Sequence, residues 1–218
     1  MSTRLAVFDC DGTLVDSQAN ICRVMELAHV AAGLPAPPRA AIRAIVGLSL
    51  VEAMAALAPD ADAALHHGLA EEYKTVFRRM RDDGDLDVEP LYDGLVETLD
   101  GLAADGWLFG VATGKSDRGL AHVLAHHGLA DRFVTLQTAD RHPSKPHPSM
   151  LREAMARTGA VPDDTVMIGD TSFDMAMARA AGTRAVGVAW GYHREDMLWR
   201  AGAHAVARRY ADLAGCLA

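Results

Sequence analysis

The sequence predicts an α/β protein with a doubly wound parallel sheet as its core and a helical domain inserted near its N-terminus. Two observations predict this fold class. Short apolar runs alternate with segments of helical spacing through the second half of the chain, and such alternation is typical of a parallel sheet built from right-handed crossovers. The interval between the first and second apolar runs contains helical patterns only, which is more helix than one crossover needs.

Five apolar runs are predicted to be strands. They are nearly continuous rather than alternating between apolar and polar residues, a pattern typical of strands that are covered on both faces. The runs are LAVF at 5–8, WLFGVAT at 107–113, FVTLQT at 133–138, TVMIGD at 165–170 and RAVGVAW at 184–190.

Three helices are predicted between the later strands. Each segment carries apolar residues at helical spacing and ends in glycine, a frequent helix terminator. The segments occupy residues 117–128, 148–159 and 172–182.

The long first interval is predicted to be a separate domain. It contains three amphipathic helical patterns between residues 17 and 89, followed by a fourth at 93–106 that we assign to the core. Turn chemistry near Asp16 and Glu89 sets its boundaries. We therefore predict a helical domain of residues 16–89 and a core domain of residues 1–15 and 90–218.

Composition restricts the partners of the protein. Half of the 218 residues are hydrophobic, and 21 Lys and Arg stand against 29 Asp and Glu, a formal net charge of −8. Because no long basic run is present, nucleic acid and anionic membrane surfaces are not expected partners. The N-terminus lacks the apolar region of a signal peptide and no segment is apolar for long enough to span a bilayer, so we expect a cytoplasmic protein.

Two carboxylates, Asp9 and Asp11, follow the first predicted strand with one residue between them. An unpaired ionised carboxylate removed from water costs on the order of several kcal/mol unless a metal, a cation or a proton compensates it. Something positively charged is therefore expected beside them.

Other polar residues follow the later strands. In an open parallel sheet the crevice at the carboxyl ends of the strands is the usual ligand site, and Thr113, Lys145 and Asp170 should meet Asp9 there. Carboxylate oxygens without His or Cys favour Mg²⁺. The predicted metal ligands are Asp9, Asp11, Asp170 and Asp174.

An anion site is predicted beside this metal site. Backbone N–H groups at turns and at a helix N-terminus bind phosphate; the candidates are Gly12, Thr13, Gly114 and Lys115. Thr113 can add a hydroxyl hydrogen bond and Lys145 a compact positive charge. A metal, a carboxylate and an anion site together indicate phosphoryl transfer.

Four segments resemble the motifs of one family. DCDGTLVDS, ATGKS, SKPHP and GDTSFDM, in this order and each at a predicted strand end, resemble the haloacid dehalogenase superfamily, specifically its phosphatase branch with a helical cap inserted after the first strand of a Rossmann-like core.

The resemblance implies a role for each matching residue. Asp9 would be the nucleophile that forms a phosphoaspartate, and Asp11 would protonate the leaving alcohol and then deprotonate water. Thr113 and Lys145 would hold the phosphoryl group. Mg²⁺ would be bound by Asp9, Asp170 and the backbone carbonyl of Asp11. Asp174 would bind or orient that site, from the same helical face as Asp170 if the helix starts there.

Several residues have two interpretations. Asp174 either serves the metal site or simply begins a helix favourably. Arg43, in the part of the cap that faces the leaving group in similar proteins, either binds substrate or is a solvated helix residue. Residues with either a site role or an ordinary packing or surface role are His122, His126, Arg141, His147, Trp190 and Tyr192.

The favoured function is a Mg²⁺-dependent phosphatase of small phosphorylated metabolites, similar to phosphoglycolate phosphatases. A sugar phosphomutase would use the same two aspartates, and a regulatory or binding protein on the same fold is the non-enzymatic alternative. Asp11 disfavours a dehalogenase, and Lys74, the only lysine of the predicted cap, has too charged a setting for the Schiff-base lysine of a phosphonate hydrolase. Neither the particular ester nor the oligomeric state follows from the sequence.

Overall fold

A computed structural model describes residues 3–217. All strand pairings in its sheet are parallel, with the spatial order β3-β2-β1-β4-β5-β6. The predicted α/β class is confirmed. The strands are β1 (Arg4–Phe8), β2 (Trp107–Thr113), β3 (Thr135–Thr138), β4 (Thr165–Gly169), β5 (Arg184–Val188) and β6 (Ala205–Ala207).

Helices connect these strands along the chain. Of the helices described in residues 3–217, four lie between β1 and residue 82 and the others accompany the sheet. They are α1 (Gln18–Ala31), α2 (Arg39–Ile45), α3 (Leu50–Leu57), α4 (Ala63–Asp82), α5 (Leu95–Ala104), α6 (Asp117–His126), α7 (Ser149–Thr158), α8 (Ser172–Ala181), α9 (Glu195–Ala201) and α10 (Leu213–Leu217).

The central strand β1 explains why its sequence is apolar without alternation. Its side chains point to opposite faces of the sheet in turn. Ala6 and Phe8 belong to one buried apolar cluster, and Leu5 and Val7 belong to a second cluster. Both faces are therefore covered, as a near-continuous apolar run predicts.

The segment between β1 and α5 has apolar clusters of its own. One cluster includes Met25, Met54 and Leu69, and the other includes Val24 and Val76. The two chain segments that connect this region to the sheet lie side by side, since the Asp16 N–H donates to the Pro90 carbonyl at 2.9 Å. The division at residues 16 and 89 stays a prediction, and residues 1, 2 and 218 lie outside the described part of the chain.

None of the helices described in residues 3–217 has the length and apolar character required to cross a membrane.

Candidate active site

The carboxyl ends of the central strands bring distant residues together. Asp9 directly follows β1, Thr113 ends β2 and Asp170 directly follows β4. Lys145 lies in the loop after β3 and Asp174 in the first turn of α8. All five side chains are buried, with residue exposures of 0–1%, so the ionisable members need partners to offset the loss of water.

Lys145 supplies positive charge to two of these carboxylates. Its Nζ lies 2.7 Å from Asp174 Oδ1 and 2.9 Å from Asp9 Oδ2. The contact with Asp174 is a hydrogen bond, whereas Asp9 Oδ2 has no aligned hydrogen-bond donor among the described residues. The other oxygen, Asp9 Oδ1, accepts a hydrogen bond from the Cys10 N–H at 2.6 Å. One oxygen of Asp9 thus stays available for a further interaction.

Asp174 also stabilises the start of α8. Its Oδ2 accepts hydrogen bonds from the Thr171 N–H and hydroxyl at 3.0 and 2.7 Å, and its own N–H donates to Thr171 Oγ1. The helix begins at Ser172, so the condition under which Asp170 and Asp174 would share a helical face is not met. Asp170 precedes the helix, and the turn at Thr171 brings the two carboxylates together.

Three carboxylates form a group of metal-ligand geometry. Asp9, Asp170 and Asp174 each offer an oxygen, and these oxygens lie within 4.8 Å of one another. Burial raises the pKa of Asp9 to about 7, against the favourable charge of Lys145, and it raises the pKa of Asp170 well above its ordinary value. Three buried carboxylates and one lysine leave excess negative charge, and a hard divalent cation fits this oxygen donor set.

The side chain of Asp11 lies outside this group, among different partners. Asp11 Oδ1 accepts a hydrogen bond from the Ser17 hydroxyl and lies 2.9 Å from Lys115 Nζ. The Ser17 hydroxyl is 3.1 Å from the Tyr192 hydroxyl, and Lys115 is 3.8 Å from Glu89. The Asp11 side chain is therefore not part of the carboxylate group, and a metal contact through its backbone carbonyl, as the family resemblance implies, stays a prediction.

The predicted phosphate cradle is only partly present. The N–H groups of Gly12 and Thr13 donate to the carbonyls of Val15 and Cys10 within their own turn. They do not serve as free donors for phosphate as predicted, because the tight turn after β1 uses them. The Thr13 hydroxyl instead donates to Asp170 Oδ1 at 3.0 Å, so Thr13 positions a carboxylate.

The second part of the cradle follows β2. Lys115 N–H donates to Thr113 Oγ1 at 3.2 Å, and its side chain, rather than its backbone, approaches Asp11. A Cβ placed on Gly114 would lie 2.6 Å from the Leu48 carbonyl oxygen. Glycine is therefore required at this position, since the chain between α2 and α3 passes directly over it.

The same chain segment covers the site from the helical region. The Ser49 N–H donates to Ser144 Oγ at 2.8 Å, and a Cβ placed on Gly47 would lie 3.2 Å from Thr171 Oγ1. His193 binds both parts of the molecule, since it accepts from the Ser172 N–H through Nδ1 and contacts the Ala44 carbonyl through Nε2. These contacts place residues 44–49 next to the reactive carboxylates.

Arg43 is not among the residues that make these contacts. Its side chain is half-buried near the end of α2 and is absent from the lining of the cavity beside Asp11. Substrate binding by Arg43 stays a prediction, and the contact that α2 makes next to the site is through the Ala44 carbonyl.

A large cavity begins at Asp11. It has a volume of about 990 Å³ and lies between helices α1, α3 and α4 on one side and residues 114–127 on the other. Asp11, which is buried, and Gly114 and Lys115, which are half-buried, line its inner end, whereas Asp9 and Lys145 do not line it. A bound ester could therefore have its leaving group in the cavity next to Asp11.

Sequence reasoning missed three contacts of the site, one each to Asp11, Asp170 and Lys115. Ser17 stands in the DCDGTLVDS motif but nothing in the residue order signals its bond to Asp11. Tyr192 was considered only for the edge of the site, yet its N–H donates to Asp170 Oδ2 at 2.8 Å. Glu89, predicted as a domain boundary, lies beside Lys115 because the entry and exit segments of the helical region are adjacent.

Comparison with known proteins agrees with this geometry. The family model described as haloacid dehalogenase-like hydrolase matches residues 6–188. The chain belongs to this family of hydrolases. Within the family its class is that of a phosphatase, in agreement with the sequence-based resemblance.

Its relatives cover nearly the whole chain. A protein of Dickeya dadantii named "Probable phosphatase IndB" is 36% identical over 97% of this chain and 92% of its own. A phosphoglycolate phosphatase of Xylella fastidiosa is 30% identical over 91% of this chain and 86% of its own. A solved hydrolase from Pseudomonas syringae superposes with a TM-score of 0.85, at 25% identity, over 100% of this chain and 98% of its own.

Proposed function

We propose that this protein hydrolyses small phosphomonoesters of the phosphoglycolate type, with Mg²⁺ and through a phosphoaspartate on Asp9. The observation that carries the proposal is the contrast between Asp9 and Asp11. Asp9 lies with two further carboxylates and Lys145 in a fully buried group, whereas Asp11 lies at the inner end of a cavity. Two carboxylates in such different surroundings suit a nucleophile and an acid–base group.

In the first step an oxygen of Asp9 attacks phosphorus and the bond between phosphorus and the ester oxygen breaks. Asp11 donates its proton to the departing alkoxide, so the alcohol leaves neutral. Lys145 lies 2.9 Å from Asp9 Oδ2 and Thr113 ends the neighbouring strand, so both can hold the equatorial oxygens of the phosphoryl group.

In the second step water attacks phosphorus and the bond between phosphorus and Asp9 breaks. Asp11 takes the proton of the water and returns to its starting state. Inorganic phosphate and regenerated Asp9 are the products, and atoms and charges balance over the cycle.

The metal is assigned to the buried carboxylate group. Asp9, Asp170 and the backbone carbonyl of Asp11 would hold Mg²⁺, while Asp174, whose two oxygens already accept from Lys145 and Thr171, would orient the site. When bound, the ion supplies positive charge that offsets the anionic phosphoryl group and nucleophile.

The setting of the reaction is also part of the proposal. The three cysteines are free thiols, as is usual in a reducing compartment such as the cytoplasm. The net charge of −8 disfavours nucleic acid as a partner, and small anionic esters are the expected substrates.

Phosphate release tests the proposal. A panel of phosphoglycolate, sugar phosphates, nucleotides and pyrophosphate is assayed with Mg²⁺ and again with chelator. We expect Mg²⁺-dependent release from phosphomonoesters, loss of release in Asp9→Asn, and unchanged release in Asp131→Asn, which alters an exposed carboxylate away from the site.

Two results would overturn the proposal. One is a folded Asp9→Asn variant that retains wild-type activity. The other is interconversion of sugar-phosphate isomers without net phosphate release, which would identify a mutase.

A further inference from the structure

We infer that the cavity beside Asp11 contains a second anion subsite, and that the enzyme is built for elongated phosphomonoesters that carry a carboxylate at the end opposite the phosphate. This inference rests on the proposed function and specifies its substrate class. Phosphoglycolate is then the shortest member of the class rather than the best fit.

The size of the cavity is the first argument. Its volume of about 990 Å³ lies at the upper end of the roughly 300–1,000 Å³ found for pockets of drug-sized ligands. Phosphoglycolate has two carbons and would leave most of this space to water. A substrate that uses the cavity must extend well beyond its phosphate.

Part of the cavity wall is apolar. Met25 of α1, Leu50 of α3 and Phe77 of α4 line it, together with Tyr73, whose ring stacks on that of Phe77 at 6.3 Å between centroids. Apolar and aromatic walls favour a hydrocarbon segment over a strongly hydrated one. The central part of the substrate is therefore expected to be apolar.

The cavity is lined by acidic and basic side chains, and the basic ones on its helices lie on α4 and α6. Lys74, Arg78 and Arg81 repeat at helical spacing on α4, and all three line the cavity. Arg118, with His122 and His126 four and eight residues later, lines it from α6. Residues four apart share a helical face, so α4 presents three basic side chains and α6 presents Arg118 and two imidazoles to the same space.

Two of these cations, Arg78 and Arg118, form no salt bridge within the described residues. Lys74 pairs with Glu71 at 2.7 Å and Arg81 with Asp82 at 2.8 Å. Arg78 donates only to the Lys74 carbonyl and the Thr75 hydroxyl, and the Arg118 side chain has no hydrogen bond or ion pair among the described residues. Both guanidinium groups line the same cavity, and guanidinium binds carboxylate in a bidentate manner.

The position of Asp11 gives the direction of the bound ester. Because Asp11 protonates the leaving oxygen, that oxygen must lie at the inner end of the cavity, and the rest of the alcohol must extend outward between α4 and α6. The order along the substrate is then phosphate, leaving oxygen, apolar segment and carboxylate.

A homologous series of esters tests this order. Phosphate release is measured for ω-carboxyalkyl phosphates of increasing chain length, beginning with phosphoglycolate, and for n-alkyl phosphates of the same lengths. We expect kcat/KM to rise with length in the carboxylate series and to exceed that of the matched alkyl ester by about tenfold or more at the preferred length, as expected for a charge-assisted hydrogen bond.

Variants locate the subsite. Arg78→Gln and Arg118→Gln should each reduce the advantage of the carboxylate esters, mainly through KM, and leave n-alkyl phosphates unaffected. Arg152→Gln, which changes an exposed arginine on α7, should leave both series as in the wild type. All three residues are exposed, so thermal unfolding should show intact folding.

The outcomes separate this inference from the proposed function. Best activity on phosphoglycolate, with no effect of Arg78→Gln or Arg118→Gln, would overturn the second subsite and leave the phosphatase intact. No release from any ester in the presence of Mg²⁺ would instead overturn the proposed function and the subsite with it.

Discussion

Lys145 and Asp174 form an ion pair that is sealed from solvent, with 2.7 Å between Nζ and Oδ1 and no exposure of either side chain. The same ammonium group lies 2.9 Å from Asp9. Lys145 thus lies between Asp174, in the first turn of α8, and Asp9, the proposed nucleophile that follows β1. This relationship makes the site a structural element as well as a reactive one.

Replacing Lys145 by methionine should destabilise the protein strongly. Removing one partner of a buried pair leaves uncompensated charge, which costs about 3–5 kcal/mol. Urea unfolding measures the loss, and Lys74→Met, at an exposed site with one acidic neighbour, is the control and should change stability by no more than about 0.5 kcal/mol. Equal stabilities of the two variants would contradict the structural role of Lys145.

Asp170→Asn should become more stable relative to the wild type as pH rises, when metal is removed by chelator. Burial holds the pKa of Asp170 well above the ordinary 3.8. The stability that this carboxyl contributes is therefore present below about pH 4 and is lost as pH rises toward its folded pKa. Denaturant unfolding of both proteins between pH 4 and neutrality measures the difference in their free energies of unfolding. A difference that does not change with pH would contradict the raised pKa of Asp170.

At neutral pH, Mg²⁺ should make the wild type more stable than Asp170→Asn. A ligand that binds only the folded state stabilises it by about 2.7 kcal/mol at a hundredfold excess over its Kd. The wild type should gain melting temperature with Mg²⁺, and Asp170→Asn should gain much less. Identical gains in the two proteins would show that the cation binds elsewhere.

Asp11→Asn should reduce the rate of hydrolysis most for esters with poor leaving groups. A general acid contributes about 10²–10⁴-fold, and it matters little when the leaving group needs no proton. We expect a loss in this range for alkyl phosphates and a much smaller loss for p-nitrophenyl phosphate. Single-turnover rates measure both, and equal losses would argue against proton donation by Asp11.

Gly114→Ala should impair the enzyme by displacing residues 47–49, which lie over Gly114, rather than by changing a residue that takes part in the reaction. The added methyl group would lie 2.6 Å from the Leu48 carbonyl, so residues 47–49 must shift. We expect an increased KM and a lower melting temperature. The control is Gly101→Ala in the exposed face of α5, where nothing lies within 4 Å and where alanine should stabilise by up to about 1 kcal/mol.

The main elements of the fold were predictable because their patterns are strong. Strand β2 has the predicted bounds, and the glycines after α7 and α8 end those helices in the left-handed conformation. The three-residue edge strand β6 was missed, since a segment as short as Ala205–Ala207 carries too few residues for a periodic signal. Helix α2 was missed for a similar reason, as its seven residues follow a Pro-rich stretch.

The placement of a site residue could be predicted where it follows from the position of that residue at the end of a strand. Asp9, Lys145 and Asp170 meet because parallel strands end at one edge. The partners of Lys115 were not predictable, because its side chain direction depends on how the helical region lies on the sheet. Arg43 illustrates the same limit, since its distance from the site depends on the orientation of α2.

The central claim is that Asp9 carries the phosphoryl group during turnover. Its most direct test is rapid acid quench of the enzyme with Mg²⁺ and a phosphomonoester, followed by mass spectrometric mapping of the peptide that contains Asp9. We expect a phosphorylated peptide modified at Asp9, absent from Asp9→Asn and increased in Asp11→Asn with p-nitrophenyl phosphate. An active wild-type enzyme that is never phosphorylated, or is phosphorylated at another residue, would contradict it.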